Sequence, residues 1–405
     1  MSKRIILCAK IIIISRINEQ FLLFFYFCTS FTEFSYLCSQ MAVLHIFNPE
    51  HDIALAANLS NFTSPHAGRQ LRHDLGYLPA IWASADDYVL VENVEDAQRD
   101  YARLMHRQFN GFIDKRQLST LRSSSAGLQG KNSQLSIVSP WGWDLALRSF
   151  LLRYGVDAVP SEEEIAEIRD LSHRKHAVSL LRELAFEGTI GGSWRADTMV
   201  EVRQALRNHP QIVIKAPWSS SGRGIRFIDN EFNDYQERWV RNVIARQGSI
   251  VIEKYCHKVK DFGMEFESDG KGNVRYLGLS LFHTQNGAYT GNILATEEEK
   301  QDVIRRYLPD NLLDAVRQKI CDYSGALYQG KYAGPFGVDM MIVRGDDHVQ
   351  SSMSNFQYLL NPCVEINLRR TMGHVALELS KRCRSEQVMV IEYAENHYKL
   401  KIRKQ

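Results

Sequence analysis

Several things this chain lacks narrow what it can be. Its 405 residues hold seven cysteines, none in a Cys-x-x-Cys pair. They are scattered, and free thiols in a reducing cytoplasm are the simplest account. Neither sign of charge dominates: 49 basic residues face 47 acidic ones, for a net charge of +2. No broad basic field for nucleic acid follows from that balance. No apolar run reaches the roughly 18 residues that a membrane-spanning helix requires. There is no internal repeat and no low-complexity tract. Gly-x-x-x-x-Gly-Lys-Ser/Thr and Gly-x-Gly-x-x-Gly are both missing from the glycine-bearing loop described below, so a nucleotide bound there would need another fold.

The first forty residues stand apart. Ile5–Ile14 is apolar but interrupted by Lys10, Ser15–Gln20 breaks the pattern, and Phe21–Phe27 is apolar again. No small-residue cleavage site follows. Met41 opens Met-Ala-Val-Leu-His-Ile-Phe, a well-formed first strand. Residues 1–40 are therefore expected to lie outside the fold, with the working protein starting at Met41. A membrane anchor is the alternative for this extension.

The most informative segment is Ile212–Ile225, Ile-Val-Ile-Lys-Ala-Pro-Trp-Ser-Ser-Ser-Gly-Arg-Gly-Ile. Gln211–Ile214 is short and β-branched, as a buried strand should be, and it delivers Lys215 at its end. Ser219, Ser220, Ser221, Gly222 and Gly224 follow, small enough for backbone N–H groups and hydroxyls to approach polyphosphate oxygens closely. A polar hairpin after an ordinary strand is the plain alternative.

The second is Pro362–His374. Strand side chains alternate, so Glu365, Asn367 and Arg369 share one face while Val364, Ile366 and Leu368 take the other. A carboxylate beside an amide oxygen suits a hard cation such as Mg²⁺, and Arg369 is left for a phosphate or a carboxylate. Upstream, Gly334–Ile342 reads as another strand, carrying the lone acid Asp339 among apolar neighbours. A buried Asp needs a partner, and Glu365 on a neighbouring strand would complete a cation site.

Taken in order and spacing, these elements resemble the ATP-grasp superfamily over most of the chain. The lysine strand and its serine-glycine loop look like the family's own. Val251–Tyr255 resembles the hinge that holds adenine, with Glu253, Lys254 and Tyr255 at the base. Asp339, Glu365 and Asn367 match the magnesium ligands, and Arg369 the arginine that follows them. Lys175, with Arg174 beside it as the alternative, stands where a first lysine belongs. The resemblance implies ATP and Mg²⁺ as cofactors, two cations being usual and Mn²⁺ a substitute. It also implies a ligase reaction in which a carboxylate is phosphorylated and captured by an amine, with Lys215 and Arg369 catalytic. A phosphotransferase acting on an alcohol, and a nucleotide-binding regulator without turnover, are the alternatives. Small-molecule acid and amine partners are implied, with no nucleic acid, no membrane and a cytoplasmic setting.

The expected architecture is thus α/β, an ATP-grasp fold with α+β subdomains preceded by a small Rossmann-like domain. Residues 41–165 form that first domain, 166–250 the subdomain with Lys215, and 251–405 the subdomain with hinge and metal site. Val43–Phe47 and Ala80–Ala83 are expected as strands and His66–Gly76 as a helix. Asn48–Asp52, at the end of the first strand, is a substrate-contact candidate. His45, His51, Asp52, His66 and His73 have no sharp metal-ligand spacing and read as polar loop residues. Ser161 caps a helix, Ala196–Asn208 is helical, and Asp261–Ser268 and Asn273–Phe282 are strands joined at Asp269–Gly272. His283–Asn292 is expected as a connecting loop, Glu297–Gly325 as helix, Arg344–Gln357 as an inserted hairpin tip, and Val388–Ile402 as a terminal hairpin turning at Glu395–Asn396.

Overall fold

A computed structural model describes residues 42–123, 137–219, 222–285, 288–345, 357–383 and 386–404. The expectations for residues 1–40, Met41, Ser220, Ser221 and most of the Arg344–Gln357 tip lie outside the described residues.

The expected mixed α/β class is what the chain adopts. Its first part runs β1 (Val43–Ile46), α1 (His51–Ala57), α2 (His66–Leu75), a 3₁₀ turn (Leu78–Ile81), β2 (Tyr88–Leu90), α3 (Val94–Met105), β3 (Phe112–Ile113), α4 (Lys115–Ser123), β4 (Ile137–Pro140) and α5 (Leu145–Arg153). The four strands pair in parallel in the order β3-β2-β1-β4. Ala80–Ala83 does not form the expected second strand. Leu78, Pro79, Ala80 and Ile81 are all buried in a 3₁₀ turn that Pro79 pre-sets, and a short apolar run reads the same in either geometry.

Next come α6 (Glu162–Leu171), α7 (Lys175–Glu183), β5 (Ser193–Ala196), α8 (Met199–Asn208), β6 (Gln211–Lys215), β7 (Ile225–Asp229), α9 (Asp234–Gln247) and β8 (Ile250–Lys254). Ser161 closes a capping box with Glu164, as its position before three acids foretells. The helix expected from Ala196 starts at Met199, because Thr198 caps it and Ala196 ends a strand. The sheet order is β5-β8-β6-β7, antiparallel throughout. β8, the strand expected to serve as the hinge, therefore hydrogen-bonds directly to the lysine strand β6, within one sheet.

The rest comprises β9 (Lys258–Asp269), β10 (Val274–Ser280), β11 (Phe282–Gln285), β12 (Ala288–Leu294), α10 (Glu297–Arg305), α11 (Asp310–Tyr328), β13 (Ala333–Arg344), β14 (Tyr358–Asn367), α12 (Met372–Ser380), β15 (Gln387–Ala394) and β16 (His397–Lys404). Two antiparallel sheets form, β10-β9-β13-β14 and β11-β12-β15-β16. The expected Glu297–Gly325 helix is two helices, because Pro309 cannot continue the first and instead precedes the second. The loop expected at His283–Asn292 is corrected to the strand pair β11–β12. It is fixed by pairing of β12 with β15, a partner about a hundred residues away that no local pattern reveals. The terminal hairpin turns where expected: Glu395 and Asn396 both take positive φ, 55° and 64°.

The apolar cores cross the expected boundaries. Phe47, Leu75 and Trp141 from the first part pack in one cluster with Leu294, Val375, Met389 and Leu400 from the last. Burial at roughly 25 cal/mol per Å² makes such a shared core a strong tether. It seats the parallel sheet against α12 and the sheet formed by β12, β15 and β16.

Candidate functional site

β13 and β14 run antiparallel with Asp339 opposite Glu365 and Gly337 opposite Asn367. Directly paired residues point to one face, so the two acids and the amide come together as the alternation predicts. Asn367 donates from Nδ2 to Asp339 at 3.0 Å and accepts from the Arg369 guanidinium at 2.9 Å. Asp339 has no cation in hydrogen-bonding contact among the described residues. Burial first, then Glu365 and Glu265, push its carboxyl up to about 8.

Lys215 and Glu365 belong to different sheets, yet the lysine reaches across. Its Nζ donates to the Val364 carbonyl at 3.0 Å and pairs with Glu253 at 2.7 Å, almost wholly buried. Glu253, the expected base contact, is thus engaged by the lysine. Lys254 and Tyr255 are exposed, Tyr255 standing edge-on to Phe227 and His257.

The alternatives at 174 and 175 separate cleanly. Arg174 is buried; its guanidinium reaches Glu365 at 2.5 Å, Ser219 Oγ at 2.8 Å and the Ala216 carbonyl. Its Nε is buried without a partner. Lys175 points away and pairs with Asp170. Residue 175 opens a helix whose preceding turn aims residue 174 inward, so the structure brings Arg174 into the site and leaves Lys175 outside it.

The loop after β6 folds back on itself. The Ala216 N–H donates to the Gly224 carbonyl at 2.8 Å, and Gly222 has φ of 71°. A Cβ at Gly224 would come within 2.1 Å of Ser219 Oγ. Only glycine lets the serine sit there.

Arg369 lies just past the end of β14 and is not free for phosphate. Its Nε and terminal nitrogen bind both oxygens of Asp52 at 2.8 to 3.1 Å. Asp52 comes from α1, in the segment singled out as a substrate-contact candidate. Burial raises the Asp52 carboxyl, and Arg369 outweighs this to hold it below its ordinary value. His51 and Asn48 instead turn to Asp144, while His45 contacts Asp87 and His73 contacts Asp74. The expectation that these are loop residues is corrected: His45 lies on β1, His51 and Asp52 on α1, and His66 and His73 on α2.

One acid escaped the sequence reading. Glu265 on β9 is 3% exposed and lies across from Gly337. A Cβ at Gly337 would fall 2.6 Å from its Oε2. That oxygen sits 3.0 Å from His374 Nδ1 but gains no hydrogen bond there, since Nδ1 already accepts the Thr371 N–H. The one available signal was that Asp261, Gly263, Glu265 and Glu267 share a strand face; nothing in it says that this face is covered.

No family model matches the chain, and no curated protein matches it in sequence. Among solved structures it is similar to N5-carboxyaminoimidazole synthetase from Staphylococcus aureus complexed with ADP, at 13% identity, covering 88% of this chain and 83% of that one, with a TM-score of 0.47. A biotin carboxylase complex from Campylobacter jejuni matches at 14% identity over 86% of this chain and 75% of that one, TM-score 0.47. Pyruvate carboxylase from Rhizobium etli matches at 13% identity over 87% of this chain and 31% of that one, TM-score 0.47. At these values the likenesses add nothing to what the site's own geometry supports.

Proposed function

We propose that this chain is an ATP- and Mg²⁺-dependent ligase of ATP-grasp type, working in the cytoplasm, that activates a substrate carboxylate as an acyl phosphate for capture by an amine. One observation carries the reading. Asp339, half-buried beside two other acids and without a cation of its own among the described residues, faces Glu365 on a strand that Lys215 and Arg174 both reach. Carboxylates gathered in a partly dry face are offset either by a cation or by a retained proton, and a bound cation would let Asp339 give up its proton.

The donor set fits magnesium, since Asp339, Glu365 and Asn367 offer only oxygen atoms once the Asn367 carbonyl turns from Arg369. When bound, the ion supplies neutralisation of polyphosphate charge. Lys215 and Arg174 supply fixed positive charge beside it, and Ser219, Gly222 and Gly224 are small enough to let backbone N–H groups approach polyphosphate oxygens. In the reaction a substrate carboxylate oxygen attacks the γ-phosphorus, the bond to the β,γ-bridging oxygen breaks, and ADP leaves. The amine then attacks the acyl carbon, phosphate departs, and the amine gives up a proton.

A coupled ADP-release screen over amino acids, dipeptides and small dicarboxylates, repeated with hydroxylamine, tests this. Acid-dependent hydroxamate is the expected result. ADP without hydroxamate would instead mark phosphotransfer to an alcohol, and no ADP from any pool would end the catalytic reading.

A further inference from the structure

The parallel sheet has a feature that the ligase reading does not use. Its order β3-β2-β1-β4 means that the chain builds outward on one side of β1 and then returns to the other side for β4. At such a reversal the loops leaving the strand ends diverge, opening a crevice outside their carboxyl ends. Here the crevice is a cavity of about 550 Å³, within the range of small-molecule sites. Segments following β1, β2, β3 and β4 all contribute to it. Neither Asp339 nor Glu365 lines it.

Its walls divide by chemistry. Phe47, Phe62 and Phe150 line the apolar part. Glu50 is 7% exposed: one carboxylate oxygen pairs with Arg72, and the other, Oε2, is buried with no partner. Ser64, 6% exposed, has its hydroxyl equally unpartnered. Burial, the largest cause, holds the Glu50 carboxyl above its ordinary value. Leaving such groups buried without partners is unfavourable, and a bound donor would relieve it. The rim is cationic. Arg69, Lys115 and Arg153 have no acidic partner among the described residues, Arg69 donating only to the Ser64 carbonyl and Arg153 only to that of Ser149.

We propose that this cavity binds a small zwitterion with an apolar body, an α-amino acid or dipeptide with aromatic or aliphatic side chains. Its ammonium meets Glu50 Oε2 and Ser64 Oγ, its carboxylate meets Arg69 and Arg153, and its side chain lies against Phe62 and Phe150. An ammonium supplies the donors that both buried oxygens lack, and a carboxylate suits guanidinium groups with open N–H positions. The cavity's size admits a dipeptide as readily as a single residue.

Titration calorimetry on the full chain without nucleotide tests the site independently of turnover. The probes are L-phenylalanine, the dipeptide L-phenylalanyl-L-leucine, 3-phenylpropionate, which lacks the amine, and inorganic phosphate. Saturable binding of the amino acid or the dipeptide is expected. Glu50→Gln and, separately, Arg153→Ala should each weaken it about tenfold or more. Arg153 is exposed, so its variant tests the site even if Glu50→Gln misfolds. A thermal shift from MgATP should be the same in the Arg153→Ala variant, which separates failure here from failure of the ligase reading. Binding of 3-phenylpropionate as tight as that of phenylalanine would overturn the role of Glu50. Saturable phosphate binding that excludes the amino acid, or no heat from any probe, would overturn the site.

Discussion

Replacing Asp339 with asparagine tests whether the acids on β13 and β14 form a site held short of positive charge. The carboxyl moves from an ordinary 3.8 to about 8 in the folded chain. Above its folded value the group must ionise among other acids in a partly dry place, whereas below its unfolded value both states carry the proton. Stability should therefore be complete below about pH 4 and be lost as pH rises towards 8. At about 1.4 kcal/mol per pH unit the gap sets a ceiling near 6 kcal/mol. Asp339 keeps some solvent access, which screens the effect to about 2–3 kcal/mol. An asparagine side chain has no charge to bury, so Asp339→Asn should flatten the dependence and melt roughly 5 °C above the parent near pH 8 without metal. The assay is thermal melting in chelator from about pH 5 to about pH 8.5, then with Mg²⁺ added, which should raise the parent and leave the variant nearly unmoved. Parallel melting curves for the two proteins across that range would show that Asp339 ionises normally and would refute the reasoning.

Further outcomes follow from the same contacts. Glu365→Gln should lower turnover on the order of a thousandfold while weakening ATP binding far less, as steady-state kinetics beside nucleotide titration would show; near-parental turnover at saturating Mg²⁺ would make Glu365 a strand residue only. Lys215→Ala should abolish most of the MgATP-induced rise in melting temperature, since the half-buried Glu253 then lacks its partner and the triphosphate its counter-charge; an unchanged shift would remove Lys215 from the site. Arg174→Met should reduce that rise strongly and Lys175→Met hardly at all, and equal effects would contradict the placement of Arg174 inside the site and of Lys175 outside it. Gly224→Ala should displace Ser219, because its Cβ would meet Oγ at 2.1 Å; limited proteolysis near the loop should accelerate, and an unaltered rate would show that the turn tolerates a side chain.

Much of this was legible in the chain alone, for a local reason. Period-two alternation fixes which residues share a strand face, so Glu365 and Asn367 could be grouped before any fold was known, whereas Arg369 falls past the end of the strand and escapes that rule. Capping chemistry lies within three or four residues, so Ser161 announced its helix, and Glu395–Asn396 announced the final turn. What tertiary structure decided were the partners distant in sequence. Arg369 meets Asp52 across 317 positions and Arg174 meets Glu365 across 191, contacts that depend on how sheets pack and leave no local trace. The choice between Arg174 and Lys175 turned on a single residue of helical phase, about 100° of rotation, which a frayed helix start leaves undetermined. Glu265 looked like half of an ordinary solvated strand face until α12 covered it. The strands of His283–Asn292 exist because β15 pairs with them from nearly a hundred residues downstream. Sequence determined which chemistry each strand could present; packing decided which charges would be buried together, because burial is a property of neighbours rather than of residues.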